Sequence, residues 1–393
     1  MKPTIIIGSG LAGYTVAREV RKLDKNKPLL IVTADDGGFY SKPMLSNAYA
    51  HGKEAAQLVS QTAAQMASQL GASILTGTRV SGLDMAAATV ATEAGSFEYG
   101  QLVLALGAQP IRLGLNGDAA HEVMSVNTLT DYAGLRTRIT GAGVRARVLI
   151  LGAGLIGCEF ADDLAGAGHI VTLVDPNPMP LASLAPPALS QGLAAALRQR
   201  GVDLQLGTTA TRVERGADGY QVLLNDGQLY HADVVLSAVG LRPELSLAQA
   251  AGLNTRRGIV VDAYGRTSAQ DVYALGDCAE YADGAGSVCL PYIAPLMTAA
   301  RAIARTVAGT PTAIDMKAAP VIVKTPSYPL ALLPPAAALR ETGAWYTARD
   351  GERTICRFCD ADGVVRGFGV APQDAVSRQA LMAEVGNAMA LAA

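Results

Sequence analysis

The sequence predicts an α/β fold made of two similar parallel-sheet halves and a small α+β domain at the C-terminal end. Three observations predict it. A pattern of strand, glycine turn, helix and strand occurs twice, beginning at Thr4 and at Val148. Each copy is followed further along by an apolar run that ends in a Gly-x-x-Pro turn, at Gly107 to Pro110 and at Gly240 to Pro243. The composition then turns proline-rich between Pro311 and Pro335, and fresh strand-like runs follow.

The 393 residues suffice for two or three domains, at about 100–200 residues each. Hydrophobic residues make up 50% and charged residues 17% of the chain, so large packed cores are expected. Thirty-two basic residues stand against 34 acidic ones, which gives no electrostatic reason to expect nucleic acid or an anionic membrane as partner. The first apolar run, Thr4–Ile7, breaks at Gly8 and is too short for the core of a secretion signal. No apolar stretch reaches membrane-span length without Pro, Gly or a charge. The 5 cysteines are an odd number in a large chain and do not suggest a disulfide framework. A reduced, cytoplasmic setting is the expectation.

The first element is the apolar run Thr4–Ile7. The turn Gly8-Ser9-Gly10-Leu11-Ala12-Gly13, a helix through Leu23 and a second run at Leu29–Val32 follow. The second copy runs from Val148–Leu151 through Gly152-Ala153-Gly154-Leu155-Ile156-Gly157 and a helix to about Gly166, then to Ile170–Val174. Both are βαβ units of the Rossmann-like, dinucleotide-binding kind. The first glycine permits the tight bend, the second lets backbone approach a pyrophosphate, and the third lets helix and strand pack closely. The pyrophosphate then meets free N–H groups at a helix N-terminus, where the helix dipole favours an anion. A single such turn is weak evidence in a chain with 42 glycines, but two framed copies are strong.

Asp175 directly follows the run Val171–Val174. An acid there accepts from an adenosine ribose 2′-hydroxyl and repels a 2′-phosphate, and Pro176 and Asn177 supply no Arg, so this half favours NAD over NADP. A strand-end Asp in an ordinary turn is the plain alternative. The first copy departs from the pattern, with Thr33 and Ala34 at the strand end and Asp35-Asp36 just after. Either Asp35 reaches back or the backbone at Thr33–Ala34 holds the adenosine part.

The later runs complete the two halves. Leu102–Ala105 leads into Leu106-Gly107, and Val234–Ala238 leads into Val239-Gly240. The stretch Tyr273-Ala274-Leu275-Gly276-Asp277 lies beyond. Together with the paired glycine turns, these strings resemble the FAD-dependent pyridine-nucleotide oxidoreductases over essentially the whole chain. Three shorter strings resemble the rubredoxin reductases, a group that includes the reductase of flavorubredoxin. They are Phe39-Tyr40-Ser41-Lys42-Pro43-Met44-Leu45-Ser46, Gly154-Leu155-Ile156-Gly157-Cys158-Glu159 and Val323-Lys324-Thr325-Pro326.

The resemblance implies a glutathione-reductase type of architecture. It would have an FAD-binding domain at 1–111 and 240–316, an NADH-binding domain at 112–239, and a C-terminal α+β domain at 317–393. It implies that Gly8, Ser9, Gly10, Leu11, Ala12 and Gly13 wrap the FAD pyrophosphate and that Asp277, after Gly276, accepts from the ribityl chain. Val80, Ala105, Gly107, Gly240 and Ile293 would contact cofactor. Lys42 and Glu159 would flank the flavin ring as an ion pair, with Glu159 also holding the nicotinamide carboxamide and Lys324 near the far edge of the ring. Plainer readings exist for these charges: Lys42 as a loop lysine, and Glu159 as a first-turn acid favoured by the helix dipole by about 0.3–1 kcal/mol.

Disulfide reductases of this superfamily carry Cys-x4-Cys after the first βαβ unit. Tyr40 to Ser46 contains no cysteine, so thiol chemistry is not expected. Cys158 and Cys278 are expected to be buried thiols. Cys356-x2-Cys359 lacks the second pair that a tetrahedral iron or zinc site needs, and is expected to be a coincidence on a strand, with an exposed oxidisable pair as the alternative. Electrons taken from NADH would therefore leave through FAD to an outside one-electron iron carrier. The resemblance names rubredoxin, an acidic protein that basic groups would steer, with Lys42, Lys324, Arg256 and Arg257 as candidates. A ferredoxin reductase of an oxygenase system, or a non-catalytic FAD-binding redox sensor, are the competing expectations.

Overall fold

The computed structural model describes residues 2–283 and 286–389, which divide into two compact units. One comprises Met1–Lys42, Ala56–Gln109 and Leu241–Lys317, and the other Pro43–Ala55, Pro110–Gly240 and Ala318–Ala393.

In the first unit, strands Thr4–Ile7, Leu29–Val32, Ser73–Leu75, Gln101–Leu104 and Val272–Ala274 form one parallel sheet. Thr4–Ile7 lies between Leu29–Val32 and Gln101–Leu104, in register from Thr4↔Leu29 and Thr4↔Gln101. The inner strands Thr4–Ile7, Leu29–Val32 and Gln101–Leu104 are near-continuous apolar runs, buried almost throughout, as a parallel sheet covered on both faces requires. Helices Leu11–Leu23 and Ile293–Val307 pack against each other, and Ile5, Ile6, Tyr14, Val16, Ile31, Leu102 and Ile303 are part of one core. A three-stranded antiparallel ribbon, Val80–Asp84 with Thr89–Thr92 and Gly95–Glu98, joins the early strands to Gln101–Leu104.

The second unit repeats the scheme. Its parallel sheet runs in the order Asp203–Leu206, Ile170–Asp175, Arg147–Leu151, Val234–Ser237, and again the glycine-turn strand is flanked by its βαβ partner and by the late strand. An antiparallel ribbon of Ala210–Arg215, Tyr220–Leu224 and Leu229–Ala232 precedes the late strand, as in the first unit. The same unit holds a five-stranded antiparallel sheet. Its order is Val321–Val323, Leu330–Leu333, Val365–Ala371, Arg353–Cys359, Ala344–Asp350, and helix Ala375–Glu384 packs on Val365–Ala371. Among the described residues, no helix is long and apolar enough to cross a membrane.

Cys158 and Cys278 are fully buried, as expected of structural thiols. Burial pushes the Cys278 thiol up to about 11 and raises that of Cys158 as well, so neither is thiolate near neutrality. Cys356 and Cys359 lie on strand Arg353–Cys359 at 0% and 3% exposure. The alternative of an exposed oxidisable pair is thereby corrected: the strand buries both against its sheet.

Candidate functional site

Each glycine turn is shaped by steric limits that only glycine meets. Gly8 and Gly152 have φ of +110° and +103°, a region that L side chains rarely enter. A Cβ on Gly13 would overlap the Gly8 carbonyl oxygen, and one on Gly157 the Gly152 carbonyl oxygen, so the third glycine of each turn allows helix and strand to touch. The second glycines differ. A Cβ on Gly10 or Gly154 would meet nothing within 4 Å, which leaves open space on the side where backbone approaches a ligand.

The helices behind these turns begin at Leu11 and Leu155 with no capping side chain and no acid in the first turn. Helix Ile293–Val307 also begins with no side-chain cap, at half-exposed Ile293. Helices Ala63–Leu70, Leu129–Gly141 and Ala375–Glu384 instead close their N-termini with full capping boxes. An N-terminus leaves four N–H groups to satisfy. The glycine-turn helices keep theirs for a ligand, and an anion fits there. The cradle that a dinucleotide pyrophosphate requires is therefore present in both units.

In the first unit, Asp35 bonds to the glycine turn and to the end of its partner strand. Its Oδ1 accepts from the Ser9 hydroxyl at 2.9 Å, the Thr33 hydroxyl at 2.6 Å and the Gly37 N–H at 3.0 Å. Ser9 and Thr33 are buried, while Ala34 and Asp35 are exposed. Gly276 takes φ +75° and donates its N–H to the Tyr281 hydroxyl at 3.2 Å, with Ala12 and Leu296 beside it. Asp277 follows, half-buried, with no hydrogen bond or ion pair among the described residues. That fits an acceptor reserved for a ligand hydroxyl. Ala105 is buried and donates its N–H to Ile7, with its own carbonyl close against Gly8. Val80 begins the antiparallel ribbon and packs on the core. Gly107, at φ +71°, accepts from the Glu244 N–H. Lys42 is half-buried at the start of a 3₁₀ turn, Lys42–Met44. Arg256 and Arg257 are exposed.

In the second unit, Asp175 is buried and its Oδ2 accepts from the Ala153 N–H at 2.6 Å. Its Oδ1 accepts from the backbone and side-chain nitrogens of Asn177, both at 2.8 Å. The acid thus braces the glycine turn itself. Ile156, one of the turn residues, is 40% exposed. Gly240 takes φ +108° and its carbonyl accepts from the Ile111 N–H.

Glu159 is fully buried. The expectation that it is a first-turn acid is corrected: the helix is Leu155–Gly166 with Gly154 as N-cap, its first turn holds no acid, and Glu159 lies in the second turn. The dipole therefore does not account for it. Its Oε2 forms an ion pair with Lys324 Nζ at 2.5 Å and accepts from the Ser46 hydroxyl, and its Oε1 accepts from the Lys324 N–H at 2.9 Å. Lys324 Nζ also donates to the Pro43 carbonyl at 2.6 Å and to Ser46 Oγ at 3.1 Å. A buried carboxylate is costly unless paired and hydrogen-bonded, and here it is both. The structure thus unites Glu159 with Lys324; Lys42 belongs to the other unit.

Sequence reasoning missed Ser46 and two neighbours on the same helix, Asp162 and Asp163. Asp162 is fully buried, pairs with Arg200 at 2.7 Å and accepts from the Ser327 N–H at 3.0 Å. Asp163, at 5% exposure, accepts from the N–H groups of Tyr49 at 2.9 Å and Ala50 at 3.2 Å. Burial raises the Asp163 carboxyl above its ordinary range, and those two N–H groups pull it back. The available signal was three acids at i, i+3 and i+4 among Phe160, Ala161 and Leu164.

Comparison with known proteins agrees with these cradles. Residues 2–308 match the family described as pyridine nucleotide-disulphide oxidoreductase, and residues 313–385 match a rubredoxin binding C-terminal domain. A rubredoxin-NAD(+) reductase of Alcanivorax borkumensis is 43% identical over 98% of this chain and 99% of its own. Another, from Acinetobacter baylyi, is 41% identical over 94% of this chain and 93% of its own. Among solved structures, the ferredoxin reductase for the CYP199A2 system of Rhodopseudomonas palustris superposes with a TM-score of 0.85 at 25% identity, over 94% of this chain and 91% of that one. The chain belongs to the pyridine nucleotide-disulphide oxidoreductases, in the group of the rubredoxin-NAD(+) reductases.

Proposed function

We propose that this protein is a reductase that carries electrons from NADH through FAD to rubredoxin. One observation carries the reading: a single chain joins a nucleotide-oxidoreductase match over 2–308 to a rubredoxin-binding match over 313–385. FAD, when bound, accepts a hydride from NADH and releases electrons one at a time, which is what a one-electron iron carrier needs. The chain's own work is to bind, orient and exclude water. In this reading Gly8–Gly13 and the uncapped helix behind them hold the FAD pyrophosphate, Asp277 accepts from the ribityl chain, and Val80, Ala105, Gly107 and Ile293 line the cofactor. Asp35 serves the adenosine end through the Ser9–Thr33 hydroxyls that it fixes. Gly152–Gly157 and Asp175 hold NADH, with Gly240 at the chain's return from that half. Glu159, with Lys324 bonded to it, holds the nicotinamide carboxamide, and Lys42 serves the flavin. We place FAD binding in 1–111 and 240–316, NADH binding in 112–239 and carrier docking in 317–393, and the protein in the cytoplasm.

The fold likeness to a ferredoxin reductase supports a second reading, with a two-iron ferredoxin as acceptor. Steady-state turnover with purified rubredoxin and with a two-iron ferredoxin separates the two. The expected result is a much larger kcat/KM for rubredoxin. A preference for ferredoxin would replace the acceptor while keeping FAD and NADH. Very slow flavin reduction by NADH would favour a sensor instead.

A further inference from the structure

We infer that Asp162 and Asp163 are positioning residues that hold the two arms of the Glu159–Lys324 pair in place. Helix Leu155–Gly166 presents Glu159, Asp162 and Asp163 at i, i+3 and i+4, all nearly or fully buried. Glu159 accepts from Ser46 and from Lys324, and Lys324 also donates to the Pro43 carbonyl, so two distant segments, Pro43–Ser46 and Lys324, meet at the pair. Each segment is tied to the helix a second time, a few residues further along. Asp163 takes the N–H groups of Tyr49 and Ala50, and Asp162 takes that of Ser327. Carboxylates accepting backbone N–H groups make strong, charge-assisted bonds with little freedom.

The remaining contacts of the first arm agree with an anchored segment. The Arg136 guanidinium stacks on Tyr49 at 4.5 Å, and the Tyr49 ring meets His169 edge-on at 5.2 Å. The Tyr132 hydroxyl donates to the Lys53 carbonyl at 2.8 Å, and Arg136 pairs with Glu54 at 2.7 Å. On the second arm, Arg200 balances the charge of Asp162. Burying three acids on one helix is costly. A two-arm clamp around one reactive pair explains why all three are kept.

That Glu159 and Lys324 serve hydride transfer rests on the function proposed above; the clamp itself does not. The test uses purified, flavin-loaded protein in wild-type, Asp163→Asn and Asp162→Asn forms. An asparagine puts an NH₂ where a carboxylate oxygen accepted and removes the charge, so in Asp163→Asn the Tyr49 or the Ala50 N–H loses its acceptor, and in Asp162→Asn the Ser327 N–H keeps at most a neutral one. Amide hydrogen exchange should rise about tenfold or more in peptides covering 46–52 for Asp163→Asn and in peptides covering 324–328 for Asp162→Asn, each without the other, as loss of hydrogen bonds to a charged acceptor implies. Acetylation of Lys324 by acetic anhydride, read by peptide mass, should quicken in both variants. The rate of flavin reduction by NADH should fall about tenfold while the NADH dissociation constant stays within about twofold, the split expected of lost orientation rather than lost binding. If Asp163→Asn does not accumulate folded, Asp163→Ser carries the same expectation. Exchange that rises across the whole chain, or in neither arm, overturns the clamp. So does unchanged Lys324 reactivity in both variants; unchanged flavin reduction beside arm-specific exchange would keep the clamp and remove its part in hydride transfer. A wild-type protein that NADH fails to reduce would remove the functional reading, whereas arm-specific exchange would still support the clamp.

Discussion

At the scale of single residues, Glu159 has the most to explain. It is fully buried, and its carboxylate is held by a lysine, a serine and a backbone N–H rather than by solvent. Glu159→Ala removes the acceptor and leaves the Lys324 ammonium without its counter-charge. The rate of flavin reduction by NADH should fall at least about tenfold, or roughly 1.4 kcal/mol of barrier; rapid-mixing absorbance checks it, and an unchanged rate would remove Glu159 from the chemistry. A second residue-scale prediction concerns pH. Hydrogen bonds from Arg147 hold the Asp233 carboxyl below the ordinary carboxylate range. A depressed folded pKa contributes stability that is present above the unfolded value, about 3.9 for Asp, and is lost as pH falls through the folded one. The melting temperature of the wild type should therefore drop more steeply on acidification below about pH 4 than that of Asp233→Asn, by calorimetry. Parallel curves would contradict the assignment.

At the scale of elements, the two glycine turns divide labour between their second and third glycines. Gly154→Ala adds a methyl to open space at φ −72°, so the fold should keep its melting temperature while the KM for NADH rises several-fold. Gly157→Ala drives a methyl into the Gly152 carbonyl and should lower the melting temperature, with a loss on the order of 1–3 kcal/mol for overpacking. Equal stability of the two variants would mean that the turn is looser than its geometry. These turns were legible because a glycine at a fixed place has a local cause: Thr4–Ile7, Leu11–Leu23 and Leu29–Val32 fall where the pattern puts them, and Arg147–Leu151 and Ile170–Asp175 differ from it by one residue at an end. The acids of helix Leu155–Gly166 were not legible. Apart from Arg200, 38 residues from Asp162, their partners lie 113 to 165 residues away in sequence, and no spacing announces Ser46, Tyr49 or Ser327 as donors. Glu159 was misplaced by one turn for a related reason. The helix begins where its glycine N-cap allows, and an acid near an N-terminus reads as a dipole effect until burial shows otherwise.

At the scale of the whole molecule, one scheme is used twice. A glycine-turn strand in the middle of a parallel sheet, an antiparallel ribbon and a returning strand occur in both units, and the five-stranded antiparallel sheet is added after the second. Two uncapped helices behind two open glycine loops argue for two bound nucleotides. Removal of the ligand should be felt in stability. Stripping FAD should lower the melting temperature and adding it back should restore it, since a ligand that binds only the folded state stabilises by mass action. The acceptor belongs to this scale too. If basic groups steer an acidic carrier, kcat/KM for rubredoxin should fall as salt is raised from low ionic strength towards about 0.5 M, where screening lengths shorten to a few ångströms. A flat salt profile would point to docking without steering. The most direct measurement is anaerobic rapid mixing of the purified protein with NADH, followed by oxidised rubredoxin. The expected result is a yellow protein that bleaches with NADH and regains its colour as rubredoxin is reduced. A protein that is colourless as isolated and takes up no flavin on reconstitution would contradict the two-nucleotide reading at its root.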